Sequence, residues 1–429
     1  MREMKDSGIE WIGQIPKDWM IKNLKYIFDI TSGSTPASSV SQYWDGDIKW
    51  ITPADFKTND VYVFGGRRNI TGLGLMSCST QVISDNSIIF SKRAPIGSVV
   101  ITGEKMCINQ GCLALVSKHQ KTSVKFYYYA LSILDKIFDM LGSGTTFKEI
   151  SAFRFSNTSL QCPHFEEQQQ ITNYLDTQCS EIDATAEDIQ KEISLLEDYK
   201  KSVITEAVTK GLNPDAEMKD SGVKWIGKIP INWQVVNPRW LFAQRKDRAK
   251  KGMEQYTASQ KYGVISQKDY MKRIGGSIVT VQKDFDILKM VCKGDFVIHM
   301  RSFQGGLEYS EHTGSISSAY VMLIPQENAG ECRYFKWLFK SASYINALQS
   351  TSNLIRDGQA MRYSNFIQII IPYPPLEEQQ QIADHLDSKC SKIDTLIADK
   401  KRQLDILAEY KKSIIYEYVT GKKEVPVNE

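Results

Sequence analysis

The chain has 429 residues, of which 42% are hydrophobic, 24% charged and 10% aromatic, with a formal charge of +3. At roughly 100–200 residues per domain this is two to four domains, each able to bury a core, and the composition excludes a disordered, collagen-like or disulfide-scaffold chain. No apolar run approaches the ~18 residues of a membrane span, and the opening residues 1–7 lack the apolar stretch of a secretory signal. The eight cysteines, at 78, 107, 112, 162, 179, 292, 332 and 390, form no C-x-x-C pair. Free thiols in a reducing cytoplasm are therefore expected.

Charge is unevenly divided. Residues 1–162 carry +4, residues 163–217 carry −9, residues 218–372 carry +10 and residues 373–429 carry −2. Two basic stretches alternate with two acidic ones, so an anionic ligand belongs on the basic lobes and a protein partner on the acidic segments.

The chain repeats itself. Residues 4–19 (MKDSGIEWIGQIPKDW) match residues 218–233 (MKDSGVKWIGKIPINW) at eleven of sixteen positions. Residues 163–209 match residues 374–420 at 23 of 47 positions, each copy opening on Pro-x-x-Glu-Glu-Gln-Gln-Gln-Ile and closing on Tyr-Lys-Lys-Ser-x-Ile. The plan is a tandem of two copies: a first lobe over 1–162, a long segment over 163–217, a second lobe over 218–373 and a second long segment over 374–429. The lobes themselves barely match.

In the first lobe, β-type runs are expected at Asp47–Thr52, Val61–Phe64, Ser87–Phe90, Gly97–Ile101 and Cys112–Val116, followed by a helix over Phe126–Met140. The second lobe echoes this with runs at Gly294–His299 and Ala319–Ile324 and a helix near Arg333–Leu348. Each lobe reads as a mixed α/β domain, making the whole an α+β chain.

The long segments read as helices with a heptad seam. Leu175, Ile182, Ile189, Leu196 and Val203 fall seven apart, with Cys179, Ala186 and Ile193 four residues on. The second copy has Leu386, Ile393, Leu407 and Ile414, with Cys390, Ile397 and Leu404 alongside. Lys400 interrupts it where the first copy has Ile189. A lone polar residue there can fix register, but the plainer expectation is a stem that packs while its amine reaches water. Gly211 and Gly421 read as helix stops. At ~1.5 Å per residue each helix could span roughly 65 Å. Connectivity then predicts an antiparallel coiled coil, with the lobes at opposite ends and related by a pseudo-twofold axis. The alternative is two separate coiled coils, each binding an outside partner.

Basic, amide and glycine residues cluster at the turns of both lobes. Arginine bidentate to guanine and glutamine bidentate to adenine read base edges, while lysine and serine contact phosphates. The candidate DNA-binding residues are Arg67, Arg68, Lys92, Arg93, Gln110 and Lys148 in the first lobe, and Arg245, Lys246, Arg248, Arg301, Gln304, Arg356 and Arg362 in the second. Any one cluster could be solvated turn residues; seven clusters in two basic lobes point to a nucleic-acid surface.

Signals for chemistry are missing. There is no P-loop, no dinucleotide fingerprint, and no Asn/Asp-Pro-Pro-aromatic tetrapeptide of an amino-group methyltransferase. Histidines 119, 164, 299, 312 and 385 form no metal pair at helical spacing. Asp55 and Lys57 hint at a metal-nuclease core but lack a second acidic partner.

The Trp-Ile-Gly-x-Ile-Pro-x-x-Trp openings at Trp11–Trp19 and Trp225–Trp233, the divergent lobes and the duplicated Glu-Glu-Gln-Gln-Gln-Ile helices together resemble the DNA-specificity subunit of type I restriction–modification systems over essentially the whole chain. Ser91–Gly97 and Asn109–Gly111 are also similar to the family's first recognition domain, whereas the second lobe departs from that wording at Met300–Gly306. The resemblance implies two target-recognition domains, each reading half of a bipartite, asymmetric site in double-stranded DNA. It implies that the paired helices act as a ruler and dock two adenine methyltransferase subunits, with restriction (DNA-translocating nuclease) subunits outside them. ATP, magnesium and S-adenosylmethionine would belong to those subunits, leaving this chain without catalysis, metal or cofactor, in the cytoplasm. A coiled-coil protein–protein scaffold is the alternative, and the basic lobes argue against it.

Overall fold

The structure, a computed structural model, describes residues 2–56, 60–142, 148–276, 287–351 and 361–426. The chain forms two compact units: Met1–Asp188 together with Gln403–Glu429, and Ile189–Arg402. Each unit therefore contains the start of one long helix and the end of the other.

Each unit opens on the same hairpin. Strand Met4–Asp6 pairs antiparallel with Gln14–Pro16, and Met218–Asp220 pairs with Lys228–Pro230 in the matching register. Gly13 and Gly227 close the Trp-Ile-Gly turns at φ +69° and +72°, left-handed values that a residue with a Cβ adopts only at a cost. The turn delivers Ile15 and Trp19, or Ile229 and Trp233, into the core.

The divergent lobes share one sheet plan. In the first unit five strands lie in the order Phe28–Ser32, Cys112–Ser117, Ile88–Ser91, Val99–Thr102 and Tyr62–Val63. In the second, four strands lie in the order Phe242–Arg245, Val321–Pro325, Phe296–Ile298 and Glu308–Tyr309. Leu115 stands between Ile30 and Ile88, and Leu323 between Gln244 and Phe296. Tyr127 packs edge-on against Phe28 as Phe335 does against Phe242. The topology is thus duplicated even where the wording is not: the central strands are buried on both faces, and a one-residue slip would exchange the side chains that meet each face.

The single helix expected in each lobe is two helices. Val124–Ser132 is followed by Asp135–Leu141, and Cys332–Leu338 by Ala342–Ser350. Ser132 turns its hydroxyl back onto the Tyr129 carbonyl at 2.8 Å, and Ser341 starts a new helix by accepting the Tyr344 amide. Serine competes with helix continuation in this way.

The long helices are Phe165–Lys210 and Leu376–Val419. In the first unit Tyr174 stacks on Tyr418 with ring centroids 4.5 Å apart, and Asp183 accepts from Lys411 at 2.7 Å. Moving forward on one helix moves backward on the other, so the pairing is antiparallel. In the second unit Glu192 meets Lys400 at 2.5 Å and Lys200 meets Asp394 at 2.6 Å, again antiparallel. Of the seam residues, Leu175, Ile182, Leu386, Ile393 and Ile414 are buried, and Ile189, Leu196, Val203 and Leu407 are half-buried. Lys400 is part-exposed, and its amine meets the half-exposed Glu192 on the facing helix, a partner that the sequence alone did not name.

Each helix ends where glycine is needed. Gly211 and Gly421 have φ +78° and +69°. A Cβ on Gly421 would lie 2.5 Å from Pro16, and one on Gly211 2.8 Å from Glu378. The C-terminal end of the second helix thus rests on the first hairpin, as the end of the first helix rests on the second hairpin, near Trp233.

Candidate nucleic-acid interface

In the first unit Lys92 and Arg93 lie on the turn after strand Ile88–Ser91, and Glu149 holds both: it accepts from Lys92 Nζ at 2.9 Å and Arg93 Nε at 2.8 Å. Burial pushes the Glu149 carboxyl up, but the hydrogen bonds from Arg93 and Lys92 together outweigh it and hold it below its ordinary value. Lys92 is mostly buried there, whereas Arg93 is half-exposed. Glu149 takes only Nε, so the two terminal nitrogens of the half-exposed Arg93 have no partner among the described residues. Two such nitrogens suit a base edge with two acceptors.

Neighbouring contacts link Gln110 and Arg67 to this turn, while Arg68 and Lys148 have partners of their own. The Lys92 amide donates to the Gly111 carbonyl at 2.9 Å, which seats Gln110 beside the turn. Exposed Gln110 accepts from the Thr35 hydroxyl. Gly111 abuts Pro53, whose turn ends in Asp55. Asp55 is a structural group: it accepts from the Thr52 amide and hydroxyl, each at 2.8 Å, and from the Arg67 amide at 3.1 Å. Its turn also anchors Arg67, which donates to the Ala54 carbonyl at 3.0 Å. The nuclease hint is thereby explained, and Lys57 lies outside the described residues. Arg68 lies 4.0 Å from the centroid of the Trp44 ring, and Lys148 pairs with Asp139 at 2.6 Å.

The second unit separates its candidates. Arg245 is not a displayed side chain. Its Nε and one terminal nitrogen grip Asp295 at 2.7 and 2.9 Å, and its other terminal nitrogen bonds Asp247 at 2.9 Å. Those hydrogen bonds, Asp295 first, raise its pKa against the opposing effect of burial. Exposed Lys246 and Arg248 flank it, Arg248 bonding the Ile287 carbonyl at 3.0 Å. Arg301 and Gln304 are exposed on the short helix region beyond strand Phe296–Ile298, and Arg362 caps the short helix Tyr363–Phe366. Arg356 lies outside the described residues.

The Arg301 turn is braced from below. Gln260 donates to the Arg301 carbonyl at 3.0 Å, Gln349 to the Phe303 carbonyl at 2.6 Å and Lys340 to the Gly305 carbonyl at 2.9 Å. Lys340 also bonds buried Glu308 at 2.5 Å, with the His299 ring 3.6 Å from that carboxylate. Gln260 brings in a basic group that the sequence reading passed over. Lys261 and Arg273 both lie over the Tyr262 ring, at 5.2 and 5.0 Å, and Lys268 and Lys272 are exposed on helix Gln267–Ile274. The i,i+4 spacing of Lys268 and Lys272 was the signal available for it.

The matched sheet registers bring out one equivalence. Ile88 faces Leu115 as Phe296 faces Leu323, and counting on from each strand places Arg93 and Arg301 at the same step. Two lobes of different sequence thus present an arginine from the same turn of the same sheet.

A duplicated sheet-and-helix chain with a basic, arginine-bearing turn on each copy defines a class of tandem recognition proteins. The model of the type I restriction modification DNA specificity domain matches residues 16–195 and again 230–405, and the chain belongs to that family. It is 34% identical over 188 residues to the type I restriction enzyme MjaIX specificity subunit of Methanocaldococcus jannaschii, a match covering 43% of each chain and so less than half of that relative. It is 22% identical over 422 residues to the MjaVIII specificity subunit of the same organism, covering 96% of this chain and 94% of the other. A solved chain described under "Structural basis underlying complex assembly and conformational transition of the type I R-M system" superposes with a TM-score of 0.70 at 15% identity, over 95% of this chain and 99% of that one. At that identity the likeness is one of fold. No helix among the described residues is long and apolar enough to cross a membrane.

Proposed function

We propose that this specificity chain reads a bipartite, asymmetric double-stranded DNA site, one half with each lobe, and brings adenine methyltransferase subunits to it. The carrying observation is the equivalence of Arg93 and Arg301 on lobes that otherwise differ. One scaffold with two divergent reading surfaces suits two different half-sites. ATP, magnesium and S-adenosylmethionine would act on the methyltransferase and restriction subunits.

Docking has its own support. Leu195 and Tyr199 are exposed on the first long helix, and Ile406 and Tyr410 on the second, each pair four residues apart and in matching repeat positions. Two like apolar patches on an acidic frame suit two copies of one partner, whose amphipathic helix would lay its apolar face on each. The test is DNA retention by the chain with its methyltransferase as salt is raised. A steep fall of affinity with salt is expected from phosphate neutralisation; a flat response would favour the scaffold reading.

A further inference from the structure

One difference between the two repeats falls where the backbone register is kept. In the first, the Arg2 guanidinium forks onto both oxygens of Glu167, bonds Asp18 at 2.6 Å and lies 5.6 Å from the centroid of the Trp19 ring. The Trp19 indole N–H donates to the same Glu167 carboxylate at 2.8 Å. The second repeat keeps the register: the Ile231 amide bonds the Glu217 carbonyl at 2.8 Å, as the Lys17 amide bonds that of Glu3 at 2.9 Å. Ala216 therefore stands where Arg2 stands, Asn232 for Asp18, Trp233 for Trp19 and Glu378 for Glu167.

The carboxylate is kept and the cation is gone. Glu378 accepts instead from the Asn232 amide at 3.3 Å. The indole N–H of Trp233, fully buried, has no acceptor among the described residues. A cleft of about 570 Å³ opens at the spot, lined by Ala216, Pro230, Asn232, Glu377, Glu378 and Gln381 among others.

We propose that this cleft is a guanidinium niche that takes an arginine side chain of a protein partner, in the place Arg2 fills in the first repeat. The same frame already holds a guanidinium once, which supplies the geometry. The planar fork matches a carboxylate in a way an ammonium does not. Drawn onto such a cation, Glu378 adopts the Glu167 arrangement and gives the Trp233 N–H its acceptor. The proposal draws on the assembly suggested above only for the source of the arginine.

The test uses the full chain with ¹⁵N-labelled tryptophan, titrated with N-acetylarginine amide, with N-acetyllysine amide as the control. The Trp233 indole resonance, assigned by its loss in W233F, should shift saturably in the millimolar range expected of a part-exposed ion pair, and at least fivefold more weakly with the lysine compound. A216R should show the shifted position without ligand, a raised thermal midpoint and no response to titration. E378Q should not respond, with the Trp19 resonance unmoved. A drift that never saturates, or an equal response in A216R, overturns the niche. Co-purification of the methyltransferase subunit with A216R tests the source: a several-fold loss supports a partner arginine, and unchanged recovery overturns it.

Discussion

Gln379 holds Glu331 in place across the second lobe: its side-chain oxygen accepts the Glu331 amide at 2.9 Å while its side-chain nitrogen donates to the Pro374 carbonyl at 2.9 Å. Gln168 does the same in the first lobe, accepting from the Ser123 amide and donating to the Pro163 carbonyl, each at 2.9 Å. Both glutamines are buried. The duplicated Glu-Glu-Gln motif thus clamps the start of each long helix to the helix that backs its sheet. Truncation to alanine takes the partner from one buried carbonyl and one part-buried amide. Q168A and Q379A should each cost about 2–4 kcal/mol in urea unfolding, about 1–2 kcal/mol per orphaned group.

The two arginines that look alike in sequence should part in their effects. Arg245 is in a buried ion pair with Asp295, and removing one partner of such a pair costs about 3–5 kcal/mol. R245A should therefore lose stability by roughly 3 kcal/mol, whereas R301A should change it by less than about 0.5 kcal/mol, as exposed substitutions do. Denaturation midpoints of the two variants decide this.

Glu149 carries a pH signature. Its folded pKa is lowered, because the hydrogen bonds from Arg93 and Lys92 outweigh burial. A lowered folded value means the group stabilises the fold above the ordinary glutamate range and loses that contribution as pH falls through the depressed value. Stability of the wild-type chain should drop over that acid window more than stability of E149Q. Equal acid profiles would remove Glu149 from this role.

Cysteine reactivity should be sharply graded. Burial pushes the thiols of Cys107 and Cys179 to about 11 and that of Cys112 higher still. The thiolate is the reacting form. These three should resist a disulfide reagent at pH 8 in the folded chain and react once it is unfolded.

The exposed pairs on the long helices predict a stoichiometry. If the proposed docking holds, L195A/Y199A and I406A/Y410A should each leave one methyltransferase subunit per chain where the wild type binds two, and the quadruple variant none. Mass measurement of the purified complexes reads this directly.

Much of the frame was legible because repetition amplifies weak signals. Heptads at Leu175–Val203 and Leu386–Ile414, the helix stops at Gly211 and Gly421 and the central strands of the two main sheets follow from pattern alone, whereas the edge strands Phe28–Ser32 and Phe242–Arg245 were not read. What was not legible depends on partners distant in sequence. The ion-pair partner of Lys400 was not legible because Glu192 lies on the other helix. Arg245 and Arg301 carry the same side chain, and only the fold reveals that Asp295 captures one and leaves the other exposed. The Lys261–Arg273 group was missed because its importance comes from Gln260 bonding the Arg301 carbonyl, a link of 41 residues along the chain. The helix breaks near Ser132 and Ser341 are local, but hydrophobic periodicity outweighed serine capping in the reading.

The central claim is that each lobe reads its own half-site through an equivalent arginine. The direct measurement is a map of methylated adenines made by the complex carrying wild-type, R93A or R301A chain. One bipartite motif is expected for the wild type, with a single position relaxed by about 1–3 kcal/mol of discrimination in one half for R93A and in the other half for R301A. If both substitutions weaken methylation uniformly at every sequence, or both relax the same half, the account is contradicted.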